Sequence, residues 1–332
     1  MIKTRYDLLC IGNAIVDVIA HAEETFLRRF GVAKGSMTLI DAHLAETLYA
    51  AMGPATIVSG GSAANTAVGA GSLGGRAAYI GKIRQDSVGD IFAHDIRASG
   101  VSFDTQRAED GPPTARSFIL VTPDGERTMC TYLGACQNLT EADIDQATVK
   151  AASITYLEGY LWDPPAAKAA FRKAAAIAHS VGRDVALTLS DSFCVDRYRD
   201  EFLDLIRSGT VDLLFANEHE LKSLYQTADF NTALSAVRAQ ARRAVVTRSA
   251  KGALAVAGSE TAEVAACPID NLVDTTGAGD LFAAGFLFGS TAGYKPEACL
   301  RLGALAASHV IQTLGARPQV SLRQLAIDNG LI

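Results

Sequence analysis

Short apolar runs alternate with longer amphipathic stretches along most of the chain. Residues 6–12, 56–59 and 76–81 read as short buried strands ending at or near glycine. Helical patterns occupy 41–51, 62–73 and 87–99, with Asp41 and Ser62 at expected N-caps and Gly53, Gly74 and Gly100 just past the ends. From residue 154 the rhythm is regular. Strands at 154–158, 184–189, 211–216 and 244–247 alternate with helices at 165–180, 197–207 and 218–225, and a hairpin-like 254–266 follows. Repeated strand–helix units return each strand parallel to the last. The expected fold is α/β, a doubly wound, mostly parallel sheet with helices on both faces.

Two excursions break that rhythm. Residues 15–20 and 36–40 alternate around a polar, helix-like insert at 23–30. Residues 114–122 and 127–133 flank the turn Pro123-Asp124-Gly125-Glu126 and predict a hairpin. These four strands carry no covering helices in the pattern, so a small sheet is expected to project as a lid. It needs a ligand or a second copy of itself to pack against. The expected division is therefore 1–13, 42–112 and 135–332 for a large catalytic and nucleotide-binding domain, with 14–41 and 113–134 forming the lid over the substrate.

Composition narrows the class. Of 332 residues, 49% are hydrophobic and 20% charged, which supports a large core, and the net charge of −6 argues against nucleic acid as a partner. The longest apolar runs fall short of the roughly 18 residues of a membrane span, and no charged-then-apolar leader opens the sequence, so the expected location is cytoplasmic. Six cysteines without a Cys-x-x-Cys pair read as reduced thiols.

Chemistry concentrates at Asp274-Thr275-Thr276-Gly277-Ala278-Gly279-Asp280, ahead of an apolar helix. Small residues at a helix start leave amides open to a phosphate-like anion, and Asp280 lies one turn in, placed to accept a proton from an attacking alcohol. A carboxylate of ordinary basicity is a weak base for this, but the loose transition state of phosphoryl transfer makes much of the work the orienting of the hydroxyl. A second turn, Ser59-Gly60-Gly61-Ser62-Ala63-Ala64-Asn65, offers Gly61, Ser62 and Asn65 to sugar hydroxyls, while Ser62 equally suits a cap. Asp17, among apolar neighbours after Gly12-Asn13, suits a pair of adjacent hydroxyls or an outward strand face. Gly69-Ala70-Gly71-Ser72-Leu73-Gly74 matches a dinucleotide fingerprint literally but closes a helix instead of opening one. No Walker motif is present.

Together these segments resemble the PfkB (ribokinase-like) family of carbohydrate and nucleoside kinases. The resemblance rests on residues 60–65, 274–280 and Asn217-Glu218-His219-Glu220. The spacing of Asn13 and Asp17, and the segments 187–193 and 211–218, are similar to the adenosine kinase branch. The resemblance implies ATP-dependent phosphorylation of a ribonucleoside 5′-hydroxyl, with adenosine as the expected acceptor. It also implies ribose held by Asn13, Asp17, Gly61, Ser62 and Asn65, and catalysis by Asp280 with the amides of Gly277, Ala278 and Gly279. ATP would lie against Asn217, Thr247, Ser249, Gly252 and His309, with Mg²⁺ held through water by Glu220. Ser249 stands where the family carries glycine. Some members use a monovalent cation such as K⁺, for which carbonyls near Asp274 and Thr276 are the candidates. Met37, Leu39, Phe103 and Leu133 are candidates for an apolar base slot, and Arg116 for a phosphate contact or an exposed sheet position. The partners implied are ATP and a small nucleoside or sugar, with a monomer or a lid-mediated homodimer. A sugar kinase of the same fold (for ribose, fructose or a keto-deoxy sugar acid) and a non-catalytic nucleoside sensor are the competing readings.

Overall fold

In the computed structural model, which describes residues 4–332, fourteen strands divide between two sheets. They are β1 (Tyr6–Ile11), β2 (Ile15–His21), β3 (Met37–Leu39), β4 (Thr56–Gly60), β5 (Ala77–Ile80), β6 (Ser102–Phe103) and β7 (Ala115–Val121), then β8 (Arg127–Tyr132), β9 (Ala152–Glu158), β10 (Asp184–Thr188), β11 (Leu213–Asn217), β12 (Ala244–Thr247), β13 (Ala253–Ala257) and β14 (Glu260–Val264). The large sheet runs β14-β13-β12-β11-β10-β9-β1-β5-β6, parallel from β12 to β6 and antiparallel at β13 and β14. This is the expected doubly wound α/β sheet.

Alternation along β1 explains the two layers. Leu9 and Ile11 face a core with Trp162, Phe171 and Phe202 from the helices Pro165–Ser180 and Ser192–Arg207 and their approach. Leu8 and Cys10 face the opposite core, where Phe92, Phe282 and Phe286 come from the helices Ser87–Ala98 and Ala278–Thr291. The order reverses at β1, whose neighbours are β9 and β5. Ligand crevices in open α/β sheets form beyond the carboxyl ends of strands at such a point.

The small sheet runs β3-β8-β7-β2-β4 and departs from the expected four strands. Residues 56–59, expected in the main strand series, instead pair antiparallel with β2, Asp17 opposite Val58. Nor is this sheet bare. The helix Ala42–Ala51 packs Ala45 and Leu48 on Val18, Phe118 and Cys130, with Phe26 and Phe30 alongside. The lid sheet and its cover thus draw on chain beyond 14–41 and 113–134. A short glycine-terminated strand has the same pattern in either sheet, so only pairing assigns it. Arg116 is buried and ion-paired with Glu46 of that helix, not displayed on an exposed face. Phe103 likewise packs against Tyr79 and Phe92 in the main core, away from any lid slot.

The helices Ala278–Thr291 and Pro296–Val310 lie against each other through glycines. A Cβ on Gly285 would sit 2.5 Å from the Leu302 carbonyl oxygen, and one on Gly303 would sit 2.7 Å from that of Phe282. All six cysteines are free, and no helix among the described residues is long and apolar enough to cross a membrane. Gly285→Val wedges side-chain volume between two backbones, so it is expected to cost about 2–3 kcal/mol and lower Tm by roughly 3–4 °C. An unchanged thermal midpoint would contradict this packing account.

Candidate active site

The helix Ala278–Thr291 begins at Gly277, whose φ of 78° is left-handed. A Cβ there would lie 2.6 Å from the Ala316 Cβ, so both conformation and space call for glycine. Asp274 shapes the preceding turn. Its carboxylate accepts from the amides of Thr276 (3.0 Å) and Gly315 (2.8 Å), and it pairs with Arg127 of the lid. Arg127 also donates to Thr276 Oγ1 (3.2 Å), which clasps the lid to the turn. Of the three amides expected to face an anion, Ala278's is engaged by the Thr275 carbonyl (3.2 Å). Gly279 is exposed, and a Cβ there would meet nothing.

Asp280 lies in the first turn of that helix. Its Oδ1 accepts from Ser62 Oγ at 2.6 Å and its Oδ2 from Asn65 Nδ2 at 3.0 Å. Thr66 Oγ1 adds a bond to its backbone oxygen at 3.2 Å. Ser62 is therefore not the N-cap of its helix. Gly61 takes that position with φ 94°, which frees the Ser62 hydroxyl to reach across to Asp280. Burial raises the Asp280 pKa, opposed by Ser62, Asn65 and the charge of Arg317. This carboxylate is thus more basic than the ordinary one expected from sequence.

Asp17 approaches the second glycine turn so closely that a Cβ on Gly60 would lie 2.3 Å from its Oδ2. Burial pushes its pKa up to about 6, against the pull of Arg317 and Arg127. Asn13 does not stand free for a ligand. Its Nδ2 donates to Glu158 Oε1 (2.7 Å), and Glu158 Oε2 accepts from the amide of Ala63 (2.8 Å). Glu158, missed from sequence, is a buried carboxylate at the end of β9, raised by that burial to about 7. It joins β1 to the helix that carries Ser62 and Asn65. Its neighbour Tyr160 and Phe193, beyond the end of β10, are 36% and 77% exposed, so two aromatic faces lie at adjacent strand ends.

Beyond Gly279 lies a cavity of about 190 Å³ lined in part by Thr247, Ser249, Gly252, Cys267, Phe282 and Ser308. Ser249 adopts φ 51°, the left-handed conformation that a glycine would take without strain. His309 is not among the lining residues. The helix Pro296–Val310 turns Ala304, Ala307 and Ser308 to the cavity instead. The Asn217 side chain caps the following helix by accepting from the amides of His219 (2.8 Å) and Glu220 (2.9 Å). Glu220 returns the bond, accepting from the Asn217 amide (3.0 Å) and from its Nδ2. Burial raises Glu220 to about 7. Among the described residues no group of three acidic, histidine or cysteine side chains converges as a direct metal cage.

Arg127 and Arg317 are the other residues that sequence reasoning passed over. Each bears buried, unpartnered guanidinium nitrogens, and Asn65 Oδ1 and Tyr79 OH are buried and unpartnered as well. Lone arginines in loop and strand carry no spacing signal. Only the tertiary arrangement marks them.

Comparison with known proteins places the chain in a family. The pfkB family carbohydrate kinase profile matches residues 7–322. The solved adenosine kinase from Sinorhizobium meliloti is 56% identical, with a TM-score of 0.92 over 98% of this chain and 100% of that one. A probable sugar kinase protein from Rhizobium etli CFN 42 is 55% identical, with a TM-score of 0.93 over 99% and 100%. The adenosine kinase of Saccharomyces cerevisiae is 26% identical across 93% of this chain and 95% of its own length. The chain belongs to the pfkB family of carbohydrate kinases, on its adenosine kinase branch.

Proposed function

We propose that the protein transfers the γ-phosphoryl group of ATP to the 5′-hydroxyl of a ribonucleoside, with adenosine as its acceptor. The observation that carries this reading is the placement of Asp280. It sits at a helix N-terminus shaped for an anion and is held by Ser62 and Asn65 of the turn that Asp17 touches. Asp17 takes two ribose hydroxyls, and Gly61, Ser62 and Asn65 complete the ribose cradle. Asn13 acts behind them, through Glu158. ATP lies along Thr247, Ser249 and Gly252, so its terminal phosphate meets Gly277 and Gly279 with Ala278 between them.

Asp280 orients the 5′-hydroxyl and accepts its proton as the oxygen attacks phosphorus. Amides at a helix N-terminus neutralise the developing charge without reorganising, which is where preorganised dipoles are most effective. Magnesium bound with the nucleotide would supply charge neutralisation to its phosphates. Glu220 with Asn217 suits holding it through water, since both Glu220 oxygens already accept from Asn217 and no direct cage surrounds them. The Arg127 guanidinium occupies the Asp274 carboxylate, so the carbonyls near Asp274 and Thr276 are the ligands left for a monovalent cation. No step is assigned to a monovalent cation.

We assign the small sheet, with its covering helix, to a lid that closes over ribose and excludes water. Arg127 gripping Asp274 gives it a latch. Tyr160 and Phe193 offer stacking faces to a purine, which favours a nucleoside over a small free sugar.

A panel of nucleosides and free sugars with ATP and Mg²⁺, followed by ADP release, tests the acceptor. Adenosine is expected to give the highest kcat/KM, and preference for a free sugar would overturn the assignment. Asp280→Asn is expected to lower kcat by about 10³-fold or more while adenosine still binds. Near-normal turnover in that variant removes the proposed base.

The pH profile follows from the same carboxylates. Asp17 must be ionised to accept hydroxyl bonds and Asp280 to accept a proton, and burial raises both. Activity is therefore present above the raised values and is lost as pH falls through them. The acid limb of kcat/KM is expected near pH 6, where Asp17 titrates. A profile flat down to pH 5 would contradict it.

A further inference from the structure

The loop after the helix Pro296–Val310 carries a side chain to which the mechanism above gives no task. The Gly315 amide donates to Asp274 Oδ2, and Ala316 packs directly on Gly277, so this loop is clamped to the anion-binding turn. Arg317 comes next. Its Nη2 donates to Ser59 Oγ (3.3 Å), immediately before the second glycine turn. Its Nε and Nη1 are buried without an acceptor, and it makes no ion pair among the described residues.

Asp17, Asp280, Tyr79 and Asp95 are the groups whose charges act on it. Its own charge in turn pulls Asp17 and Asp280 down against their burial. Burial lowers Arg317 to about 10, so it remains a cation at neutral pH. A desolvated guanidinium thus stands beside both working carboxylates without touching either.

Arg317 is half-buried, but donors of a cation that are themselves shut off from solvent are costly until an acceptor arrives. Arg127 has open donors too, but its charge is already met by Asp274. Asp17 and Asp280 act on its charge without a direct contact, and a ribose hydroxyl would fill a hydrogen bond at Arg317 but bring no charge to it. A phosphoryl group answers both, because its equatorial oxygens carry the charge through the transition state.

We propose that Arg317 is a catalytic residue that donates to an equatorial oxygen of the phosphoryl group as it passes from ATP to the acceptor. As the acceptor oxygen bonds to the γ-phosphorus, the bond to the β–γ bridging oxygen breaks and its electron pair leaves with ADP. The hydroxyl proton passes to Asp280. Arg317 keeps its own protons throughout and donates only hydrogen bonds. This role rests on the phosphoryl-transfer reading above, though not on adenosine being the acceptor.

The test compares Arg317→Met and Arg317→Lys with the wild type in turnover and in calorimetric binding of adenosine and of AMP. In Arg317→Met, kcat is expected to fall about 100-fold, with KM for adenosine changed less than about threefold. AMP affinity should weaken about tenfold or more while adenosine affinity holds. Arg317→Lys, which keeps the charge, should recover part of kcat and of the AMP affinity, and it serves alone if the methionine variant fails to fold. Equal losses for adenosine and AMP, or kcat within about twofold of wild type, overturn the role while the kinase reading stands. If the wild type prefers another alcohol, the same comparison uses that alcohol and its phosphate ester, so acceptor and arginine are decided separately. A wild type that phosphorylates no alcohol ends both.

Discussion

The grip of Ser62 and Asn65 on the Asp280 carboxylate is the contact on which the rest of the site depends. Two turns more than two hundred residues apart in sequence meet there, one shaped for an anion and the other for hydroxyls. Each is a strand-to-helix or loop-to-helix turn that glycine alone allows, Gly61 and Gly277 both being left-handed and pressed against neighbouring backbone. Two open helix N-termini brought together by one carboxylate place an acceptor and an electrophile in contact. Holding reactants in that relation is where much of a kinase's acceleration arises.

Charge is distributed around this contact in an unusual way. Asp17, Glu158 and Asp280 are all raised by burial, and two arginines from distant segments stand among them. The carboxylates differ in how they are satisfied. Glu158 is filled by Asn13 and Ala63 and works as a fastener between β1 and the adjoining helix. Asp280 is held but keeps its basicity, while Asp17 faces the glycine turn. Several of the buried donors and acceptors without partners, on Arg127, Arg317 and Asn65, belong to the residues gathered around this contact.

The lid is more than an appended hairpin. β4 and the helix Ala42–Ala51 tie it to the main domain through the chain that enters the second glycine turn. The sheet runs straight into Gly60 and Gly61, and the Arg127–Asp274 pair joins it to the Asp274–Gly277 turn from the other side.

Local pattern alone determined the α/β class, the helix Pro165–Ser180, the strand Ala244–Thr247, the lid hairpin and the two glycine turns, because periodicity and turn chemistry act over a few neighbouring residues. It also marked Asp280, Asp17, Ser62 and Asn65, since motif spacing reflects the helix start that displays them. Tertiary structure decided what depends on distant partners. It moved β4 into the lid sheet, gave Ser62 to Asp280 instead of to its own helix, and turned Asn13 onto Glu158. It left His309 out of the lining of the cavity beyond Gly279 and brought Arg127 to Asp274 and Arg317 to Ser59. A side chain's partner across the fold leaves no periodic trace in the chain. Only the crossing of strands and helices at the carboxyl ends of β1 and β9 fixes it.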